Sequence, residues 1–394
     1  MGTLSLKCVE TRTPTPRPSA MNLVRPTVVA IPVRDEADRI GACLAALDAQ
    51  TAARFDHIVL LLNNCTDNTA AVARVTPLCP ATRLHVLEHT FPPHQANAGH
   101  ARRIAMQEAA KRAGPHGVIL TTDADGLVDP DWLSTTLHIL EGGVDVVAGW
   151  VDLHPVEWGQ IPIALHEDDA RECAYDALCD EIHALLDPDP SDPLPRHTQH
   201  SGASIAVTAA AYARAGGVPD IPSGEDRAFI AALRRADCRI RHAPEVHVSV
   251  SGRIQGRSVG GMADTIRRRM IQPDRYLDDR LEPAADCARR ARCRAALRLA
   301  HGSPFFDRAP LSRLLRLPRV KLDAILDIPE FGRAWDALEA AAPALHRRRV
   351  AVADLPRQMA GADSILAELR PGPVGRSDSL GHQDERRDLA PLRL

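Results

Sequence analysis

Aromatic side chains make up only 3% of the 394 residues. With so few large rings to share between a core and a binding surface, each tryptophan is worth following individually. Lysine is scarcer still. Of the 48 basic residues only Lys7, Lys111 and Lys321 are lysines, so nearly all positive charge is guanidinium, which suits bidentate oxyanion contacts but also reflects genomic composition. The formal charge of −3 at pH 7 lacks the basic excess of a dedicated nucleic-acid binder. No apolar run approaches the roughly 18 residues needed to cross a bilayer. The opening MGTLSLKCVETRTPTPRPSA has no apolar stretch of a signal peptide. A soluble, cytoplasmic protein without a membrane span is expected. The 9 cysteines are odd in number and form no Cys-x-x-Cys pair, which argues against a disulfide framework or a zinc ribbon and for reduced thiols.

What is present is the pattern of an α/β domain with a mostly parallel sheet. β-Branched runs at TVVAIPV (Thr27 to Val33), HIVLLLN (His57 to Asn63), RLHVLEH, GVILTTD (Gly117 to Asp123) and DVVAGWVDL alternate with helical stretches. The first helix is expected from about Ala37 to Gln50. Thr66 or Asp67 can cap the second, and Asp129 or Asp131 the one after TTDADG. Helical pattern returns over 162–187, and SGASIAVTAAAYARAGG gives a short strand, a helix and a Gly-Gly stop. HVSVSGRIQGRSVGG places His247, Arg253 and Arg257 after the last strand. Residues 1–25 and 371–394 read as disordered tails, 26–261 as the α/β domain, and 262–370 as an Arg-rich helical extension. Its arginine runs form a solvated face, or help shape an acceptor site or a dimer contact.

Strand carboxyl ends open onto the ligand crevice of such sheets. Asp123 and Asp125 lie at one such exit, where two carboxylates can meet a divalent cation or simply shape a turn. Glu225 and Asp226 in GEDRAF, standing alone, read as the acidic start of a helix. Trp150 and Trp158 follow the fifth strand and suit either a ligand surface or a core.

Taken together, TVVAIPVRDEADRI, LLLNNCTDNTAAVA, GHARRIAMQEA, TTDADGLVDPDWL, SGASIAVTAAAYARAGGVPDIPSGEDRAFIAAL and HVSVSGR, in that order, resemble a family 2 type glycosyltransferase with the GT-A fold. The resemblance covers roughly residues 26 to 255. It implies that Pro32, Arg34 and Glu36 of the first loop embrace the nucleotide, with Asp35 where asparagine is usual. Asn63 and Asn64 stand where the family has an aspartate that reads the base. An amide donates as well as accepts, so uridine and guanosine both stay open. Arg102 approaches the nucleotide or orders the Asp123 loop, and Arg103 replaces the family's asparagine.

The same resemblance assigns Asp123 to ribose and cation and Asp125 to the cation, Mg²⁺ or Mn²⁺, with His247 as a third metal ligand. Ser201 and Gly202 line the sugar pocket beside Ala203, and Arg253 and Arg257 bind the diphosphate. Asp226 is the expected base of an inverting transfer and Glu225 orients sugar or acceptor. The function implied is transfer from a UDP- or GDP-sugar to a small or soluble acceptor. A retaining enzyme of the glycosylglycerate-forming kind, a nucleotidyltransferase and a non-catalytic binding module are the alternatives; a homodimer is possible.

Overall fold

The computed structural model describes residues 25–370, apart from 255, 257–260, 302 and 304. Arg257, the tail over 371–394 and all but the last residue of the tail over 1–25 lie outside the described residues. The described strands are β1 (Thr27–Val33), β2 (His57–Asn63), β3 (Arg83–His89), β4 (Val118–Thr121), β5 (Leu127–Val128), β6 (Val146–Leu153), β7 (Ile205–Thr208) and β8 (Ile240–Val250). They form one sheet in the order β3-β2-β1-β4-β7-β6-β8-β5. β1 to β4 run parallel, β7 is antiparallel to both β4 and β6, and β8 returns parallel to β6. The β-branched, apolar β1 and β2 are buried on both faces, as central parallel strands require.

The helices of the α/β part are α1 (Ile40–Asp48), α2 (Thr69–Val75), α3 (Ala98–Ala113), α4 (Trp132–Glu141), α5 (Pro155–Trp158), α6 (Ile163–Leu186), α7 (Ala209–Ala215) and α8 (Glu225–Arg235). α1 and α4 bury Leu44 and Trp132 against Ile31, Leu60 and Val147 on one face of the sheet. α3, α7 and α8 bury Met106, Tyr212 and Phe229 against Ile205 and Val207 on the other. α9 (Met262–Ile271), α10 (Ala284–His301), α11 (Ala309–Leu315), α12 (Arg319–Leu326), α13 (Phe331–Ala341) and α14 (Leu355–Leu369) complete the described chain. None of the helices among the described residues is long and apolar enough to cross a membrane.

The helical region is docked on the sheet part at two places. Tyr175, Cys179 and Ile182 of α6 share a core with Cys287 of α10 and Leu366 of α14. α13 meets α8 so closely that a Cβ at Gly332 would come within 1.9 Å of the Arg234 carbonyl oxygen. Asp237 adds hydrogen bonds from the Phe331 and Gly332 amides at 2.9 and 2.8 Å.

Three local expectations change. β8 runs to Val250 and carries His247 within it instead of ending before it, because it pairs along the whole of β6, and the two-residue β5 joins its outer edge antiparallel. Asp67 accepts from the Thr69 amide (3.0 Å) at the start of α2, whereas Thr66 instead donates its hydroxyl to Asp35. Neither Asp129 nor Asp131 caps α4 through its carboxylate. Asp131 makes no such bond, and Asp129 gives Trp132 only its carbonyl oxygen, because its side chain is drawn to His247.

Candidate active site

The carboxyl ends of the strands open into a cavity of about 1740 Å³. The β1 exit brings Pro32, Arg34 and Glu36 to it, the end of β2 Asn63, and the β4 exit Asp123 and Asp125. From the opposite side come Ser201 before β7, Glu225 and Asp226 at the start of α8, His247 on β8 and Arg253 after it. Asp125 and Asp226, exactly a hundred and one positions apart in the chain, therefore face one space rather than two.

Arg102, on the second turn of α3, forms the floor. Its Nη2 lies 2.5 Å from Asp123 Oδ1 and its Nε 2.9 Å from Glu225 Oε1. Nη1 donates to Thr121 Oγ1 (2.7 Å) and to the Gly202 carbonyl (2.8 Å). Burial acts to lower the Arg102 pKa, but Asp123 and Glu225 outweigh it and hold the guanidinium above its usual range. Gly202 does not itself line the cavity. A Cβ there would sit 2.5 Å from Arg102 Cζ, so the small residue makes room for the guanidinium.

Glu36, Asp123 and Asp125 gather above this floor. Arg253 donates to both Glu36 oxygens, at 2.8 and 2.5 Å, and lies 3.3 Å from Asp125 Oδ2. The Asp125 carboxyl is nevertheless pushed up to about 7, first by burial and then by the Asp123 charge, with Glu36 adding to it and Arg253 opposing. The Cys43 thiol beneath is raised too, by burial and by the same three carboxylates. With Glu225 included, four carboxylates share the two guanidiniums of Arg102 and Arg253, and hard oxygen donors in negative excess suit Mg²⁺ or Mn²⁺. Among the described residues, no three His, Cys, Asp or Glu side chains converge as a ready metal cage. His247 is engaged elsewhere, its Nδ1 3.1 Å from Asp129 Oδ2 and its Nε2 3.3 Å from Asp152 Oδ2.

Asp226 lies half-buried on the cavity wall. The Gly202 amide donates to its Oδ2 (3.0 Å) and the Arg227 amide to its Oδ1 (2.7 Å), which fixes the carboxylate. Asn63 donates to the Asn97 carbonyl (3.2 Å), and its own Oδ1 is enclosed without a partner among the described residues. Asn64 is not brought to the cavity. It holds a positive φ of 51°, a conformation that asparagine tolerates, and exchanges two hydrogen bonds with the Phe91 main chain. Asp35, likewise at φ 52°, accepts from the Thr66 amide (2.6 Å) and ties the first loop to the second. Trp150 and Trp158 both line the cavity. Trp158 stacks on His166 at 3.9 Å, and the Trp150 indole donates to Asp152 (2.7 Å).

The sequence reading missed Asp129 and Asp152 beside His247, and Arg234 and Arg280 on the far wall. Asp129 carried a signal in its place after TTDADG that a capping role accounted for equally well. The others have no local pattern to mark them.

A mixed, mostly parallel sheet with helices on both faces and an acidic cluster at the β4 exit is the GT-A arrangement of sugar-transferring enzymes. Residues 28–183 match the family model described as Glycosyl transferase family 2. The match ends within α6, so Glu225, Asp226 and His247 lie beyond it. No curated protein sequence matches the chain closely enough to count as a relative. Among solved structures, the chain is similar to the mannosyltransferase PcManGT from Pyrobaculum calidifontis in complex with GDP-Man and Mn²⁺, at 17% identity over 87% of this chain and 79% of that one, with a TM-score of 0.41. It is also similar to glucosyl-3-phosphoglycerate synthase from Mycobacterium tuberculosis in complex with Mn²⁺, UDP and phosphoglyceric acid, at 15% identity over 64% and 78%, with a TM-score of 0.40.

Proposed function

We propose that this glycosyltransferase moves a sugar from a nucleotide diphosphate donor to an acceptor hydroxyl, depends on a divalent cation, and inverts the anomeric centre with Asp226 as base. The observation that carries this reading is that Asp125 and Asp226 face one cavity while Arg102 bonds their chain neighbours Asp123 and Glu225.

Asp125 and Asp123 would hold Mg²⁺ or Mn²⁺, which supplies positive charge to offset that building on the departing diphosphate. Arg253 can turn its fork from Glu36 to two phosphate oxygens, and Glu36 and Arg34 lie where ribose and base would enter. Asn63 lines the cavity beside them, and its enclosed oxygen reaches a base N–H only if the side chain turns. Asp226, held by two amides, takes the proton of the acceptor hydroxyl as that oxygen attacks the anomeric carbon from the face opposite the leaving group. Inversion is preferred over retention because His247 is spent on Asp129 and Asp152 while Asp226 is free on its cavity side. A soluble acceptor suits the polar wall opposite the acidic cluster.

The test is a panel of UDP- and GDP-sugars with Mn²⁺, assayed for products. Release of nucleoside diphosphate is expected with at least one donor. Pyrophosphate release in the presence of a sugar phosphate would instead make the protein a nucleotidyltransferase, and silence with every donor would make it a binding module.

A further inference from the structure

The wall of the cavity farthest from Asp125 is rich in arginine, and one of these arginines is unlike the rest. Arg227 pairs with Asp278 (3.2 Å), Arg269 with Asp274 (2.7 Å), Arg280 with Asp176 (2.9 Å), and Arg347 lies 3.8 Å from Glu282. Arg234 has no carboxylate within ion-pairing distance among the described residues. It is exposed, and the surface it exposes faces the cavity.

Arg227, Ala231 and Arg234 recur at the spacing of one helix face, and all three line the cavity. That face of α8 begins beside Asp226. The Arg234 Nη2 lies 3.2 Å from His200 Nε2. Burial, then Arg234, His242 and Arg280, push the His200 pKa far down, so the ring is neutral, Nε2 accepts from Arg234, and the hydrogen sits on Nδ1.

We infer that Arg234, supported by His200 and Arg280, is an anion-binding subsite that holds a phosphate or carboxylate group of the acceptor while the acceptor's hydroxyl lies at Asp226. Assigning the anion to the acceptor rests on the transferase reading above. From Asp226 to Arg234 the helix rises about 12 Å, part of which the long arginine side chain can close. The acceptor is therefore a hydroxylated acid with its acid group well removed from the reacting oxygen. Planar guanidinium recognises phosphate and carboxylate alike, so the two sources are separated by experiment.

Titration calorimetry with inorganic phosphate, and separately with acetate, reads the subsite directly. Phosphate or acetate binding by the full chain is expected, weakened about tenfold or more in Arg234→Gln through loss of a charge-assisted contact, and partly restored in Arg234→Lys. Arg333→Gln, on α13 and outside the cavity, should bind as the parent does. Matched melting temperatures establish that each variant is folded. Absence of binding to either anion, or dependence on Arg253 rather than Arg234, overturns the inference. With a working donor, Arg234→Gln should raise KM for an anionic acceptor about tenfold and leave that for its uncharged analogue unchanged. Equal effects on both acceptors overturn it. Arg234-dependent anion binding by a protein that turns over no donor would sink the transferase reading instead and leave the anion site standing.

Discussion

Arg102 and Glu225 meet at 2.9 Å in the floor of the cavity although 123 positions separate them in the chain. Both side chains are more than nine-tenths buried. The same guanidinium also holds Asp123, so one residue sets the acidic cluster and the start of α8 at a fixed separation. Reacting groups must be held in register for transfer to occur, and here that register depends on a single arginine.

Removing Arg102 leaves Glu225 as a buried, unpaired charge, and breaking such a pair costs about 3–5 kcal/mol. Arg102→Ala should therefore lower the unfolding free energy measured in urea by that amount, with a matching fall in the midpoint, and abolish nucleoside diphosphate binding. Gly202→Ala acts on the same group from the other side. Its Cβ would force the guanidinium away from a 2.5 Å approach, an overpacking worth about 1–3 kcal/mol. An unchanged midpoint in both variants would contradict the central role given to Arg102.

Asp226→Asn keeps an oxygen that can accept from the Gly202 amide but cannot take a proton. Transfer should slow by about 10²- to 10⁴-fold, the usual worth of a general base. The thermal shift given by donor plus Mn²⁺ should persist. A variant that loses donor binding and turnover together would make Asp226 a binding group and not the base.

Mn²⁺ with a nucleoside diphosphate should raise the melting temperature of the parent chain by mass action, and chelation should reverse it. Asp125→Asn should show no such rise. Without metal, it should be at least as stable as the parent at pH 8, because it removes a carboxylate that burial and Asp123 make costly to ionise. Scanning fluorimetry at pH 8, with and without chelator, checks both parts.

His197 is buried with its Nε2 unpartnered among the described residues, and burial, followed by the His242 charge, brings its pKa down from 6.5 to about 4. The unfolded chain takes up this proton near pH 6.5 and the folded chain only near pH 4. Stability contributed by keeping the ring neutral is thus present above pH 6.5 and falls between those limits, by about 1.4 kcal/mol per pH unit. Urea unfolding of the parent from pH 7 to pH 4.5 should show a steeper summed slope, because His183, His200 and His242 are held down by burial as well, and His197→Asn should lower that slope by about 1.4 kcal/mol per pH unit. The slope is read, so a constant loss from the substitution itself does not interfere.

Much of this protein is decided locally. TVVAIPV and HIVLLLN become β1 and β2 residue for residue, because β-branched apolar runs bounded by polar turns have few other places to go. The resemblance in TTDADG and GEDRAF led to Asp123, Asp125, Glu225 and Asp226, since motif chemistry at strand and helix ends is written in consecutive residues. Contacts between distant segments were not written that way. Nothing in AGHARRIA says that Arg102 reaches both Asp123 and Glu225, that Gly202 is small on its account, or that Asn64 is spent on Phe91. Nor does an arginine in ALRRAD announce that it alone on its wall lacks a carboxylate. Periodicity and propensity act over a few residues, whereas charge compensation is settled only when the sheet brings remote chain segments within a few ångströms of one another.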